Sequence, residues 1–442
     1  MQNLPRLPDG RLEERFEPAK PPYDAAEAIT EANRCIYCVD APCIRACPTG
    51  IDIPTFIRKI STDNVKGAAR TILSENLLGY SCSRVCPVEE LCVGACVYNA
   101  WERSPIQIGR LQRYATETAL ASTPMSALVR PRKAATGKRV ALVGAGPASV
   151  AAAGWLALDG HTAVVFDRKS FGGGLNALGI APYKMQGNDA IQEMEWVAAL
   201  GDVRFELGQG VDAARLAQLV DDFDAVFIGI GLGADSALGV PGEHGPGVYG
   251  AVDLVERLKS DPAFAVDAPH GAVVVGGGNT ALDIAHELAV LGVTEVTLAY
   301  RRGRAAMSGY AHELDAARKD GVRLLEDAVI TEVQRGADGE VTGVRVARAE
   351  GGRAIAGTEW TLATSLVAVA IGQGRVTSLV EGLAGVQVDA KGRVVVDAAT
   401  HRTGHPKVWS GGDCVNGGKE VVNAVQEGKL AARDISRALG GA

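Results

Sequence analysis

The sequence predicts a cysteine-rich helical domain followed by an α/β protein built on two βαβ units, the first split by the second. Three observations carry this. Eight of the nine cysteines fall between Cys35 and Cys96. From Lys138 the grammar changes to strand, glycine turn and helix, in RVALVGAGPASVAAAGWLALDGHTAVVFD. The same grammar returns at Ala272, in AVVVGGGNTALDIAHELAVLGVTEVTLAYRR.

The bulk properties agree. The chain has 442 residues, 47% of them hydrophobic and 22% charged, with 54 glycines, which suits a multidomain α/β protein rich in glycine turns. A formal net charge of -7 argues against nucleic acid as a partner. No stretch approaches the roughly 18 uninterrupted apolar residues of a membrane span, so none is expected. The polar start MQNLPRLPDGRLEERFEP has no apolar leader core, so a reducing cytoplasmic setting is expected. Disulfides are rare there, and clustered cysteines point to metal.

Taken in order, residues 1–122 lean to helix, with helical apolar spacing in NVKGAARTILSENLL. ASTPMSALVRPRKAATGK reads as a linker. Two buried-strand runs end in glycine, FDAVFIGIG at Gly231 and SLVAVAIG at Gly372. VWSGGDCVNGGKEVVNAVQEGKLAARDI reads as strand, turn and helix. The expected segments are 1–122, 123–240, 241–369 and 370–442, the second and fourth forming one split domain.

The first fingerprint is Gly144, Gly146 and the small Ser149. Gly144 permits the tight turn, Gly146 lets backbone N–H groups approach a pyrophosphate, and a small third residue lets helix and strand pack closely. Asp167 ends the next strand about 20 residues on, where a carboxylate binds ribose hydroxyls. A bare structural glycine turn is the competing reading, but strand, helix and acid are all in place. The second fingerprint is Gly276, Gly278 and Ala281, and its second strand runs into Arg301 and Arg302 instead of an acid. Either this pair meets a 2′-phosphate or it is solvated at a strand end; both readings stay open. Two dinucleotide folds in one chain suggest a flavin reductase, with FAD in the first and a nicotinamide nucleotide in the second. Asp413, in the Gly411-Gly412-Asp413 turn, is placed to hydrogen-bond the ribityl chain.

The cysteines are spaced Cys35-x2-Cys38-x4-Cys43-x3-Cys47-Pro48 and Cys82-x3-Cys86-Pro87-x4-Cys92-x3-Cys96. Such density lowers the ordering cost of an iron–sulfur cluster, and proline after a cysteine recurs in ferredoxin-type sites. From spacing alone, each of two clusters would take four cysteines. Zinc is the structural alternative, but redox-inert zinc beside a flavin reductase has no role. Cys414 stands apart and is expected to be a buried small residue.

CIYCVDAPCIRACPTGIDIPTFI, CSRVCPVEELCVGACVYNAWERSPIQIGRLQRYATE, GAGPAS, GGGNTALD and GGDCVNGGKEVVNAVQEGK together resemble the N-terminal half of dihydropyrimidine dehydrogenase, nearly end to end. The resemblance implies a helical iron–sulfur domain followed by a two-nucleotide flavoprotein, with the FAD domain split by the NAD(P) domain. It implies two 4Fe–4S clusters, one on Cys35, Cys38, Cys43 and Cys96, the other on Cys47, Cys86, Cys92 and the amide of Gln112, with Cys82 not a ligand. The implied FAD contacts are Gly144, Ala145, Gly146, Pro147, Ala148, the run from Asp167 through Gly174 and Leu175, then Lys184, Val211, Gly412 and Asp413. The implied nicotinamide-nucleotide contacts are Gly277, Gly278, Asn279, Thr280, Arg301, Arg302, Ala370, Ile371 and Gly372. Where the NADPH-using single-chain form has a further arginine, this chain has Ser308, which favours NAD over NADP, although Arg304 is nearby. The chain stops at Ala442, before any FMN barrel, and so is similar to the flavin subunit of the two-subunit enzyme. The implied activity is oxidation of NADH by FAD, with single electrons passing through the clusters to an FMN-containing, pyrimidine-binding partner subunit, in a heterotetramer. The glutamate synthase small subunit shares much of the pattern but tends to have glutamate where Gln112 stands. A stand-alone NAD(P)H:ferredoxin oxidoreductase and a non-catalytic subunit are the other readings.

Overall fold

The computed structural model describes residues 3–440. Residues 1, 2, 441 and 442, which the first and last predicted segments include, lie outside them. The N-terminal part is helical: α1 (Ala25–Ala32), α2 (Pro42–Ala46), α3 (Ile53–Ser61), α4 (Val65–Leu73), α5 (Gly79–Val85), α6 (Val97–Ala100) and α7 (Ile108–Ser122). Local signals set these ends. Asp24 and Glu27 form a reciprocal capping box on α1, Asp52 caps α3 through Thr55 N, and Asn64 caps α4 through Gly67 N. Ile53, Phe56, Ile57 and Ile60 bury one face of α3 at helical spacing. The run predicted as one helix through Leu78 stops at Leu73, and the chain turns there into α5.

Two parallel five-stranded sheets follow. The strands of the first are β1 (Arg139–Val143), β2 (Thr162–Phe166), β3 (Val203–Glu206) and β4 (Ala225–Ile228); those of the second include β5 (Val248–Gly250), β6 (Ala272–Val275), β7 (Val296–Ala299) and β8 (Arg323–Leu325). β9 (Ala328–Arg335), β10 (Val341–Glu350), β11 (Arg353–Ala354) and β12 (Trp360–Ala363) form a small antiparallel sheet absent from the sequence-based expectation. Then β13 (Leu366–Val369) enters the second sheet and β14 (Val408–Ser410) returns to the first. The orders are β14-β4-β1-β2-β3 and β5-β13-β6-β7-β8. In each sheet the strand order reverses beside the glycine-bearing strand, β1 or β6, which is where open α/β sheets bind ligands.

The helices of this part are α8 (Pro147–Leu158), α9 (Leu175–Leu178), α10 (Gly187–Ala198), α11 (Ala213–Asp222), α12 (Ala251–Ser260), α13 (Asn279–Val290), α14 (Ala311–Lys319), α15 (Asp413–Asn416) and α16 (Val421–Ala438). α8 is buried from Ala148 to Leu158, which explains its apolar, alanine-rich sequence. A Cβ at Gly428 of α16 would lie 2.1 Å from the Ala148 carbonyl, so glycine there lets α16 close on α8. The helical domain is not an independent bead. Leu73, Leu77, Tyr80 and Cys82 share one core with Leu142, Trp155, Met194 and Ile435. A separate core, with Phe56, Ile57, Ile108 and Leu111, lies under the other cysteines.

The two nucleotide units meet at a half-buried ion cluster. Lys184 Nζ lies 2.7 Å from Asp283 and 2.5 Å from Glu313, on α13 and α14. Burial disfavours the Lys184 ammonium, but the two carboxylates outweigh it and raise its pKa. Lys184→Met is expected to destabilise the protein by about 3 kcal/mol at pH 8, because two largely shielded acids lose their cation. The loss should shrink at pH 5, where the Glu313 carboxyl, already raised by burial and without its cation, takes up a proton. Urea unfolding at the two pH values measures this; an equal loss at both would contradict it.

Candidate functional site

The cysteine block folds back on itself. Cys35, Cys38, Cys43 and Cys96 line one cavity, walled by apolar side chains including Ile53, Ile57, Ile106 and Ile108. Short helices place them: Cys43 lies on α2, and Cys96 immediately precedes α6. Cys92 lies in the field of Cys86, Cys47 and Cys43, so a second group adjoins the first. Burial pushes the Cys43 thiol up to about 12 and the Cys92 thiol well above its ordinary value. Thiolates in so apolar a setting need compensating metal charge. Soft sulfur donors around an apolar cavity fit an iron–sulfur cluster. Among the described residues, no three His, Cys, Asp or Glu side chains are grouped as a single bound ion requires.

Cys82 is 2% exposed and lies in the core shared with the flavin-type unit. Both thiols are free, and the neighbouring Cys82 thiol is the first cause of the raised Cys86 pKa, with burial second. Gln112, on α7, is buried, and its Nε2 donates to the Gly79 carbonyl at 2.8 Å. That bond turns Oε1 away from Gly79 and leaves it as the acceptor end. Cys414 is buried, as expected, with its thiol near Ser410 Oγ and the Gly411 carbonyl.

The first glycine loop gathers residues from four distant places. Gly144 has φ +93°, and a Cβ there would lie 2.4 Å from the Gly229 carbonyl at the end of β4. Asp167 Oδ2 accepts from Ala145 N at 2.7 Å, and Gly173 N donates to the Ala145 carbonyl at 2.9 Å. A Cβ at Gly174 would lie 3.0 Å from Gly146 Cα, and one at Gly412 would lie 3.1 Å from Ala148 Cβ. Pro147 opens α8 and Leu175 opens α9. The loop, its acid, the Gly172–Gly174 run and the C-terminal turn thus form a cradle that side chains would fill. Val211 lies in the loop after β3, packed against the neighbouring core. Burial pushes the Asp413 carboxyl up to about 6. Lys184 sits in the junction described above. Its pairing with Asp283 and Glu313 was not foreseen.

The second loop repeats the design. A Cβ at Gly276 would lie 2.4 Å from the Ala370 carbonyl, at the end of β13, and one at Gly277 would strike the Tyr300 ring. Gly278 caps α13, whose first residues are Asn279 and Thr280; Asn279 Oδ1 accepts from Tyr310 N at 2.9 Å. Ala370, Ile371 and Gly372 follow β13, and Ile371 is exposed. Arg301 and Arg302 are both exposed, the latter's guanidinium 5.4 Å from the Tyr300 ring centre. Arg304 pairs with Asp315 at 2.9 Å, and Ser308 N bonds to the Gly277 carbonyl.

Sequence reasoning missed two acids. Glu427, on α16, accepts from Gly412 N at 2.6 Å and so braces the C-terminal turn. Glu193, on α10, is buried, and burial pushes its carboxyl up to about 7 from an ordinary 4.5, against opposing hydrogen bonds from Ser81. Because the folded state holds this proton more tightly, stability falls as pH rises through the window from about 4.5 to about 7. Glu193→Gln should flatten that fall, a difference of up to about 3 kcal/mol, read as thermal unfolding across pH 5 to 8. An unchanged pH profile would refute it. Only an acidic residue on an otherwise buried helix face hinted at its role.

Two parallel dinucleotide-type sheets in one split chain, beside a thiol-lined helical domain, define a two-nucleotide oxidoreductase with an attached metal-cluster domain. Residues 12–123 match the dihydropyrimidine dehydrogenase domain II, 4Fe-4S cluster family, and residues 138–428 match the pyridine nucleotide-disulphide oxidoreductase family. The chain belongs to the latter family, in the form that carries the former domain at its N-terminal end. It is 33% identical over 423 residues to the NAD-dependent dihydropyrimidine dehydrogenase subunit PreT of Escherichia coli (strain K12), covering 96% of this chain and 97% of the relative. It is 32% identical over 441 residues to the glutamate synthase [NADPH] small chain of the same organism, covering 94% and 92%. Similarity to the putative oxidoreductase AegA of that organism is 33% over 444 residues, covering 95% and 67%. Among solved structures, T. acidophilum thioredoxin reductase shares the fold, with a TM-score of 0.54 at 22% identity over 68% of this chain and 98% of that one. The protein is an electron-transferring NAD(P)H oxidoreductase with iron–sulfur and flavin domains. No helix among the described residues is long and apolar enough to cross a membrane.

Proposed function

We propose that the chain is the electron-input subunit of a dihydropyrimidine dehydrogenase, working in the cytoplasm with an FMN-containing, pyrimidine-binding partner as a heterotetramer. The observation that carries this over the glutamate synthase reading is Gln112, a buried amide held by Gly79 where that branch tends to have glutamate. The units run 1–122, 123–240, 241–369 and 370–442. Cys35, Cys38, Cys43 and Cys96 hold one 4Fe–4S cluster, and Cys47, Cys86, Cys92 and Gln112 hold another. Gly144 to Ala148, Asp167 to Leu175, Lys184, Val211, Gly412 and Asp413 hold FAD. Gly277 to Thr280, Arg301, Arg302 and Ala370 to Gly372 hold the nucleotide. Ser308 in place of a cation, and Arg304 already paired with Asp315, favour NADH.

When bound, the flavin accepts an electron pair from NADH and the clusters carry single electrons onward. The protein's own part is placement. The glycine loops admit pyrophosphates to backbone N–H groups, and Asp167 orients the first loop. The apolar walls of the cysteine cavity keep water from the cluster sulfurs. The partner would reduce uracil or thymine to the 5,6-dihydropyrimidine. The test is anaerobic NADH oxidation by the chain mixed with an FMN-barrel partner and uracil. Oxidation that needs both partner and uracil supports the proposal. Oxidation that needs instead a glutamine-dependent partner and 2-oxoglutarate moves the chain to the glutamate synthase branch.

A further inference from the structure

Glu193 lies outside both glycine loops and outside the cysteine set, yet it ties the unit of the first loop to the cysteine domain. Its buried carboxylate accepts from Tyr80 N at 2.9 Å, from Ser81 N at 3.2 Å and from the Ser81 hydroxyl. Leu78, which precedes α5, offers no side-chain cap, so an acid of the flavin-type unit satisfies the opening amides of a helix in the cysteine domain. α5 is a short rod that runs into Cys86. Its first residue, Gly79, accepts from Gln112 Nε2. From the other side, Asn176 Nδ2 donates to Ser81 Oγ at 2.8 Å, and Asn176 directly follows Leu175 in the cradle loop. Asn176 Oδ1 is buried without a partner, and Asn176 and Glu193 line a small cavity with Pro147 and Gly173 of the cradle.

We infer that Glu193, with Ser81 and Asn176, is the positioning element for electron transfer between the flavin and the cluster held by Cys86 and Gln112. It fixes α5 against the flavin cradle, and a continuous path runs Leu175–Asn176, Ser81 to Gly79, then Gln112. This rests on the function proposed above. The step served moves single electrons from the NADH-reduced flavin to the oxidised cluster; over two such steps the flavin gives up the two electrons and one proton that arrived as hydride, the proton going to solvent, and no bond forms or breaks between the two groups. A carboxylate with three donors and no counter-cation bonded to it is a costly way to glue two domains, which a neutral amide would do more cheaply. Its value lies in holding two consecutive amides and a hydroxyl at once, which fixes the rod in both direction and register.

The test uses holoprotein variants in anaerobic stopped flow with NADH, reading flavin and cluster bleaching separately, together with hydrogen exchange at the Tyr80 and Ser81 amides. In Glu193→Ala, flavin reduction should stay within about twofold, while cluster reduction slows about tenfold or more and both amides lose protection. Glu193→Gln, which keeps an acceptor oxygen, should restore cluster reduction to within about threefold. Should Glu193→Ala not fold, Asn176→Ala cuts the path on the flavin side and should slow cluster reduction with the amides still protected. Cluster reduction at the wild-type rate in Glu193→Ala, or in Asn176→Ala where it replaces that variant, overturns the inference, as does a Glu193→Gln protein as slow as Glu193→Ala. Wild-type protein in which NADH bleaches no flavin, or flavin but no cluster, overturns the functional reading instead.

Discussion

Replacing Cys43 with serine is expected to remove about half of the protein's bound iron, while replacing Cys82 with alanine leaves iron content unchanged. The contrast follows from where the two thiols lie. Cys43 faces the cavity shared with Cys35, Cys38 and Cys96, and its raised pKa reflects burial and then the nearby thiols of Cys35 and Cys96. A serine hydroxyl there is a poor iron ligand in an apolar wall. Cys82 is packed among Leu77, Leu78 and Tyr80. Truncating it leaves a small cavity and costs about 1 kcal/mol of stability. Iron per chain, with the low-temperature EPR of the reduced protein, distinguishes the two. Equal iron loss in both variants would return the ligand set to four cysteines in each group.

Gly144→Ala and Gly276→Ala should separate the two nucleotide functions. At Gly144 a Cβ meets the Gly229 carbonyl at 2.4 Å in a backbone with φ +93°, so β1 and β4 must part or the loop must rebuild. Either change opens the flavin cradle, and the purified variant should carry less than about a tenth of the wild-type flavin. At Gly276 the same clash falls on the Ala370 carbonyl, in the other sheet. That variant should keep its yellow flavin yet lose NADH-driven bleaching by about 100-fold, while dithionite still bleaches it. Flavin retained in Gly144→Ala, or lost in Gly276→Ala, would reverse the assignment of the two sheets.

These glycines were legible in the sequence because the constraint on each is local: a strand end, a turn and a helix start within a few residues. The cysteine cavity was legible in part. Spacing placed the cysteines in two groups, but that Cys96 joins Cys35, Cys38 and Cys43 depends on how α6 and α7 fold back, and it came through the family resemblance. Contacts between units were not legible. Glu193 reaches α5, and Lys184 reaches α13 and α14, only after the units have packed together, and Glu427 meets the Gly412 turn within the last segment only once α16 lies against it. Each is a charged residue that tertiary structure shields wholly or in part from water, and no local pattern announces its partner. The antiparallel sheet of β9 to β12 was not legible although an Asp338-Gly339 turn marks its hairpin, because register shifts between β9 and β10 break the simple alternation of their side chains.

One chain is expected to pass electrons from a nicotinamide nucleotide through flavin to iron–sulfur clusters. An anaerobic NADH titration of the reconstituted protein, followed together by absorbance and low-temperature EPR, tests it most directly. Flavin bleaching should be accompanied by reduced 4Fe–4S signals, and Cys43→Ser should lose part of those signals while its flavin still bleaches. Complete flavin reduction with the clusters still oxidised, in protein whose clusters dithionite can reduce, would contradict it.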